Sequence, residues 1–261
     1  MFSNFIANNI SSDSYGIMCV QFGSSSGSET VSAGGETELI TEKTPRSNKF
    51  HIISQEYSKP QSFTFQVVNT DGSNIDAAKE RSLKKWLCKR GVYFPFQIDD
   101  DRFNNIILEV NISNPQLIKV VGVVGMEFTV TCKSSFGHSP IIKKKYNIAT
   151  NGQQIKLYIV NDDDDYIYPD VTIKVDEDCN LTITNSSELK HREFVINNLK
   201  ADEEITILGS LPDIATSRIN HAVWSDFNKR WLRFIDGTNI LTVSNKCTIA
   251  LSYSEPRKVG V

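Results

Sequence analysis

The sequence lacks the features that mark secreted, disulfide-stabilised and membrane-spanning proteins. Its five cysteines are an odd number, lie far apart and form no CxxC pair, so we expect free thiols and no zinc site. No segment approaches the roughly 18 apolar residues of a membrane-spanning helix. Residues 1–9 show neither the basic nor the apolar region of a secretory signal. We therefore expect synthesis in a reducing cytoplasm.

Catalytic motifs are also missing. The chain contains no GxSxG, HExxH, glycine-rich phosphate loop or dinucleotide fingerprint. None of the histidines, His51, His138, His191 and His221, falls within a sequence motif that places a general base beside a nucleophile. The net charge is only −3, without a stripe of lysine and arginine for a nucleic acid. We predict no catalytic residue, no cofactor and no nucleic-acid partner, and an enzyme is disfavoured.

Three charge runs could suggest ion binding or a linker. Asp162–Asp165 places four carboxylates in succession, but calcium loops use alternate positions and a glycine turn, so a solvated loop is favoured over a calcium site. The same reasoning makes Asp99–Asp101 a turn. Lys143–Lys145 is interpreted as the solvated edge of a linker. No metal-ligand residue is predicted.

The composition is that of a folded globular protein with two domains. Hydrophobic residues make up 39% and charged residues 23% of the 261 residues, far from the signature of disorder. Alternating apolar and polar residues at 63–67, 108–112 and 128–132 indicate half-buried strands. The chain is longer than one small hydrophobic core requires, and its charge balance and residue pattern change after about residue 145. The predicted domains are 1–145 and 146–261.

One amphipathic helix interrupts the strands of the first domain. Ala78, Leu83, Trp86 and Leu87 form an apolar stripe at helical spacing, and either Asn74 or Asp76 suits the N-terminal cap. We predict a helix over about 76–89, ended by a left-handed Gly91, with Trp86 buried against a sheet. The glycine- and serine-rich tract at 22–28 is expected to be a loop or hairpin tip.

The second domain is expected to consist of strands alone. Short apolar runs recur about every ten residues, the spacing of a sandwich or jelly roll. The predicted strands are 154–160, 170–175, 180–184, 193–197, 204–208, 230–235, 239–244 and 246–253.

Trp224 and Trp231 admit two interpretations. Paired tryptophans near Asn, Asp and Arg are typical of sugar-binding sandwiches, which favours an adhesion module that recognises a cell-wall saccharide. Alternatively, Trp231 starts a strand and faces the core, while Trp224 lies in the preceding connection.

The order of these segments resembles the distal tail (Dit) family of siphophage tail-tip proteins. No single motif is diagnostic, and the resemblance rests on order, spacing and length over nearly the whole chain. Its segments are 14–20, 85–87, 93–101, 125–133, 180–185 and 234–243. The segment 135–140 departs from the family pattern at the end of the first domain.

This resemblance implies a mainly β protein with a defined role. The N-terminal domain would be sandwich-like or split-barrel-like, would contain the helix and would form a hexameric ring. The C-terminal domain would be a galectin-like, jelly-roll-like sandwich. Such a hub joins the tail tube to tail-tip or baseplate proteins and receptor-binding proteins in the virion. Its mechanism would be binding and geometry, without membrane insertion.

Overall fold

The computed structural model describes residues 3–22 and 35–259. The predicted loop at 22–28 lies outside the described residues, apart from Phe22. The described chain forms two compact units that divide between His138 and Ser139, and the chain returns to the first unit at Lys258. Each unit has its own hydrophobic core.

The secondary structure is mainly β, as predicted from the sequence. The helices are α1, Ala77–Leu87, and α2, Val223–Asp226, with 3₁₀ turns at Ser12–Tyr15 and Asp101–Phe103. The strands of the first unit are β1 Asn4–Ala7, β2 Ile10–Ser11, β3 Ile17–Val20, β4 Glu36–Lys43, β5 Phe50–Lys59, β6 Ser62–Asn69, β7 Phe94–Asp99, β8 Leu108–Lys119, β9 Val123–Cys132 and β10 Gly137–His138. Those of the second unit are β11 Ile142–Ile148, β12 Gln153–Ile159, β13 Asp170–Val175, β14 Cys179–Asn185, β15 Glu193–Leu199, β16 Glu204–Leu208, β17 Asp213–Thr216, β18 Gly237–Val243, β19 Cys247–Tyr253 and β20 Pro256–Arg257.

A seven-stranded antiparallel sheet forms the body of the first unit. Its strand order is β2-β1-β7-β8-β9-β6-β3. Alternate residues of the strands point to one side, where Phe5, Phe65, Phe96 and Phe128 make a chain of ring contacts. This face is buried because it shares one core with helix α1.

Helix α1 begins and packs as its sequence predicts. The Asp76 side chain accepts a hydrogen bond from the Lys79 amide at 2.7 Å, which caps the first turn. Trp86 is 4% exposed; its ring stacks on Tyr15 at 4.2 Å, and its Nε1 donates to the Ala7 carbonyl at 3.1 Å. The helix ends earlier than predicted. Its cap is Cys88, and Gly91, with φ +69°, lies in the turn that follows.

Two antiparallel sheets form the second unit. One has the order β11-β19-β13-β16-β17 and the other β12-β18-β14-β15. Their buried residues belong to one core, in which Ile173 and Ile249 of the first sheet join Leu181 and Leu241 of the second. The shared core makes this unit a two-layer sandwich.

Three sequence-based expectations for this unit are wrong. The unit does not consist of strands alone, because helix α2 lies at Val223–Asp226. The segment 230–235 is not a strand and makes only a bridge between Phe234 and Ile167. Its backbone is satisfied differently, because the Asn239 side chain bonds both the amide and the carbonyl of Ile235. The run Lys143–Lys145 is solvated as expected, but it belongs to strand β11 and pairs with β19, so it is no linker.

Strands β4 and β5 form a separate two-stranded ribbon, which we call the arm (residues 36–59). The two strands pair with each other and with no other strand of the described residues. All of β4 is exposed, and so is β5 apart from Ser54, which is half-buried. These strands were not predicted from the sequence, because an arm without a core has no buried face to impose a clear alternation of apolar and polar residues.

Candidate functional site

The arm has one apolar face. Residues opposite each other in an antiparallel pair share a face, and the pairs Thr37 with Tyr57, Leu39 with Gln55, Thr41 with Ile52 and Lys43 with Phe50 lie on one side. The large side chains of Leu39, Phe50, Ile52 and Tyr57 are all exposed. An exposed row of this kind in a soluble chain marks an interaction surface.

The opposite face of the arm is acidic. Glu38 lies directly across from Glu56, and Glu42 lies across from His51. Like charges opposite each other destabilise a strand pair. Ile40, which pairs with Ser54, is exposed on this same face. The two faces therefore differ mainly in charge, and a partner that covers the first face leaves the carboxylates in water.

The root of the arm is held by the segment that departs from the family pattern. The Phe136 ring makes an edge contact with Tyr57 at 4.9 Å, and the Ser135 hydroxyl donates to the Lys59 carbonyl at 3.2 Å. A Cβ on Gly35 would lie 2.4 Å from the Ser135 Cβ, so the chain approaches Ser135 closely there. These contacts set the direction in which the arm leaves the sheet.

The second candidate surface is an aromatic cluster on the sandwich. Trp224 lies on α2 with 47% of its surface exposed. Its ring contacts Phe227 at 6.4 Å and Trp231 at 6.3 Å, while the Lys229 ammonium lies 5.6 Å from the ring centroid. Phe227 is buried, and Trp231 packs against the core. The predicted placement of Trp231 at the start of a strand is wrong, although its contact with the core is confirmed.

A buried polar network fixes α2 beneath this cluster. The His221 side chain is 3% exposed; its Nδ1 lies 2.5 Å from Glu203 Oε1 and its Nε2 lies 2.9 Å from Asp226 Oδ2. Ionised carboxylates only accept hydrogen bonds. Both contacts are thus hydrogen bonds when both ring nitrogens carry a proton. Asn198 donates to the second oxygen of Asp226 at 2.9 Å.

The network lowers the pKa values of its two carboxyl groups, Glu203 and Asp226. Hydrogen bonds from His221 and Asn198 lower the pKa of Asp226. Burial by itself would raise the pKa of Glu203, but the hydrogen bonds from Thr216, His221 and the Lys200 amide outweigh it and lower that pKa. Both groups are therefore held in the charged form that binds the imidazole.

A second buried ion pair lies elsewhere in the sandwich. The Arg233 guanidinium donates to Glu188 and lies over the Tyr166 ring at 3.6 Å from its centroid. Because both charges are buried and paired, they position the segment that the sequence assigned to a strand.

The remaining sequence-flagged residues do not converge on one site. Asp162–Asp165 forms a loop, in which the Asn161 side chain bonds the Asp165 carbonyl and the Asp163 amide. Among the residues that the structure describes, no three His, Cys, Asp or Glu side chains are arranged to hold a metal ion. His51 is on the arm, and His191 is in an exposed turn.

The five cysteines are free thiols, as predicted. Burial raises the pKa of Cys19, Cys132 and Cys247 to about 12. Such thiols remain protonated and act as small apolar side chains. No described helix is long and apolar enough to cross a membrane.

Sequence analysis found the tryptophans but missed the arm and the polar network. The network joins Glu203, just before β16, with Thr216 of β17 and with His221 and Asp226 around α2. These residues are far apart in the sequence, so no local spacing predicts the network. The apolar residues of the arm, particularly Phe50-His51-Ile52-Ile53, were a visible signal. A comparison of this segment with the acidic segment at 36–43 would have predicted a strand here.

Comparisons with known proteins agree with this architecture. Two family models match, one described as a phage tail protein N-terminal domain over residues 1–134 and the other as a phage tail C-terminal domain over residues 136–253. A comparison with curated protein sequences found no match.

Solved structures of phage proteins share the fold. The Dit protein (gp 19.1) of phage SPP1, described as a paradigm of the hub adsorption apparatus in phages that infect Gram-positive bacteria, is similar with a TM-score of 0.66 and 11% identity; the match covers 97% of this chain and 99% of that one. A chain of the phage P2 baseplate, in its activated conformation with Ca, is similar with a TM-score of 0.54 and 8% identity, over 99% of both chains. These likenesses confirm the expected distal tail protein fold, and the chain belongs to the family of phage tail proteins whose N-terminal and C-terminal domains the two models describe.

Proposed function

We propose that this phage tail protein is the hub at the distal end of a long non-contractile tail, and that it assembles as a hexameric ring. In this role it connects the tail-tube protein to tail-tip or baseplate proteins and to receptor-binding proteins. The first unit, up to His138, would form the ring, and the second unit, from Ser139 to Arg257, would form a galectin-like docking domain. The function is one of binding and geometry, as befits a structural protein of the virion.

The observation that carries this proposal is the apolar face of the arm. Leu39, Phe50, Ile52 and Tyr57 are exposed in the single chain. Burying a large apolar side chain contributes about 1.5–3 kcal/mol, so a partner surface gains several such contributions from one arm. In a homo-oligomeric ring, each copy can present its arm to the next copy. Repeated head-to-tail contacts generate a closed ring when the rotation between neighbouring copies adds up to a full turn.

The experiment is size-exclusion chromatography with light scattering on the full chain and on two arm variants. We expect a mass of six chains for the unmodified protein. The double substitution Phe50→Ser and Ile52→Thr makes the apolar face polar while it keeps residues that are compatible with a strand, and we expect it to shift the mass towards the monomer. His51→Ser lies between them in sequence but on the acidic face, and we expect it to leave the ring intact.

Images of the same samples by electron microscopy give an independent readout. A chain that stays monomeric at high concentration would contradict the ring. A ring that forms equally well with the apolar face removed would show that the arm is not the contact.

A further inference from the structure

The exposed face of Trp224 points to a function that the tail-hub role does not require. We propose that Trp224 and Lys229 form a binding subsite for an acidic saccharide, one that carries a carboxylate or a phosphate group. The indole would stack on the apolar CH face of a sugar ring, and the lysine ammonium would pair with the anionic substituent.

The first support is the way the ring is held at the surface. Phe227 and Trp231 contact each other at 4.9 Å and occupy the space beneath Trp224. Phe227 is buried in the sandwich core, so Trp224 has no room to fold inwards. The packing therefore leaves about half of a large aromatic side chain in water, although aromatic side chains gain most from burial.

The second support is that the platform is rigid before any ligand arrives. Asp226, two residues after Trp224, is tied to His221 and Asn198. The Asn228 amide bonds the Val195 carbonyl at 3.0 Å, which fixes the other end of the short helix. A surface that is already ordered loses little conformational entropy on binding, which favours affinity.

The third support is the charge beside the ring. Lys229 contacts the Trp224 ring, and no carboxylate pairs with its ammonium group in the described part of the chain. A cation at an aromatic face provides an anion-binding group next to a stacking surface. A neutral sugar would use only the ring, whereas an acidic sugar uses both groups.

The surroundings favour a saccharide over a protein partner. Ala222, Ser225 and Asn228 are exposed around Trp224, and they are small or polar. A stable protein interface buries about 800 Å² on each partner around an apolar centre. One aromatic ring among hydrogen-bonding groups is better matched to a sugar, which has an apolar face and a rim of hydroxyls.

The test is calorimetric titration of the full chain with three defined oligosaccharide probes. These are a uronate oligosaccharide, a phosphate-bearing oligosaccharide and a neutral malto-oligosaccharide, each added to about 10 mM because such single-ring contacts give weak affinities. We expect saturable binding of at least one acidic probe and weaker binding of the neutral one. The difference between the two acidic probes identifies the anionic group.

Three variants assign the binding to the subsite. Trp224→Ala is expected to weaken binding of the acidic probe at least about tenfold, and Lys229→Gln is expected to weaken it while leaving the response to the neutral probe unchanged. Tyr158→Ala is the matched control, since Tyr158 is 72% exposed on strand β12 of the same sandwich. We expect it to bind like the unmodified chain.

Light scattering on the same samples separates this proposal from the hub. If no probe saturates, or if Trp224→Ala and Tyr158→Ala bind alike, the subsite is refuted whatever the oligomeric state. If Trp224→Ala lowers the mass of the assembly, the Trp224 indole is a contact between protein chains and the saccharide proposal fails. A monomeric chain that still binds the acidic probe through Trp224 would refute only the proposed hexameric assembly.

Discussion

Trp86 gives the sharpest prediction, since one side chain joins the helix, the first strand and the aromatic core of the first unit. Its indole is 4% exposed, stacks on Tyr15 and on Phe5, and donates to the Ala7 carbonyl. Truncation of a buried tryptophan to alanine costs about 3–5 kcal/mol of unfolding free energy. We expect Trp86→Ala to fall in this range.

The contributions can be separated with a second substitution. Trp86→Phe keeps an aromatic ring but removes the indole N–H, which leaves the Ala7 carbonyl without that donor. Losing such a buried hydrogen bond costs about 1–3 kcal/mol. We expect the phenylalanine variant to lie between the unmodified chain and Trp86→Ala. Trp224→Ala is the control; as an exposed substitution in the other unit it should change stability by about 1 kcal/mol or less.

The assay is urea unfolding monitored by hydrogen-exchange mass spectrometry, in which peptides from 4–22 and 77–99 report on the first unit. Local reporting is needed because a two-unit chain need not unfold in one transition. The reasoning is refuted if Trp86→Ala destabilises these peptides by less than about 1 kcal/mol, or no more than Trp224→Ala does. Either result would mean that the helix is not held through this side chain.

Two further predictions concern the sandwich. Asn239→Ala leaves both backbone groups of Ile235 without their side-chain partner, so we expect the free energy of unfolding of the second unit in urea to fall by about 2–4 kcal/mol. Asn239→Asp should lose an intermediate amount, since it keeps the acceptor. An unchanged urea midpoint in Asn239→Ala would contradict this role of Asn239. The pKa values of Glu203 and Asp226 are lowered in the folded state. Their contribution to the stability of the second unit is therefore present above the unfolded pKa of about 4 and is lost as the pH falls through the folded pKa values. We expect the second unit to lose stability below about pH 4, and Asp226→Asn to flatten this dependence; an unaltered slope in the variant would show that Asp226 does not contribute.

Much of the secondary structure could be predicted because burial imposes a period on the sequence. Strand β13 was predicted with its observed ends, since Val171, Ile173 and Val175 alternate with polar residues and face one core. Strand β16 was predicted equally well for the same reason. Helix α1 was found from its cap and apolar stripe. In the arm, which has no core face, Ile40 and Ile53 interrupt the alternation of apolar and polar residues, and the strands were missed.

The segment 230–235 failed for a different reason. Trp231, Phe234 and Ile235 have strong strand preferences, but preference is overridden when side chains satisfy the backbone. Asn239 does this for Ile235, and Asn185 does it for the Arg233 carbonyl, while the Arg233 side chain is held by Glu188. The Asn239 contact is local but does not follow from strand preference, whereas Glu188 and Asn185 lie 45 and 48 residues from Arg233, outside any short window of the sequence.

The sequence by itself determined that the chain is mainly β, that one capped helix lies among the early strands, that the cysteines are free and that the chain resembles distal tail proteins. These properties follow from local patterns of burial, capping and spacing. Only the tertiary structure decided that β4 and β5 leave the sheet as a two-sided arm, and that Trp224 stands exposed above a fixed helix. Both surfaces depend on which side chains remain outside a core, and that is settled by packing between segments far apart in the chain.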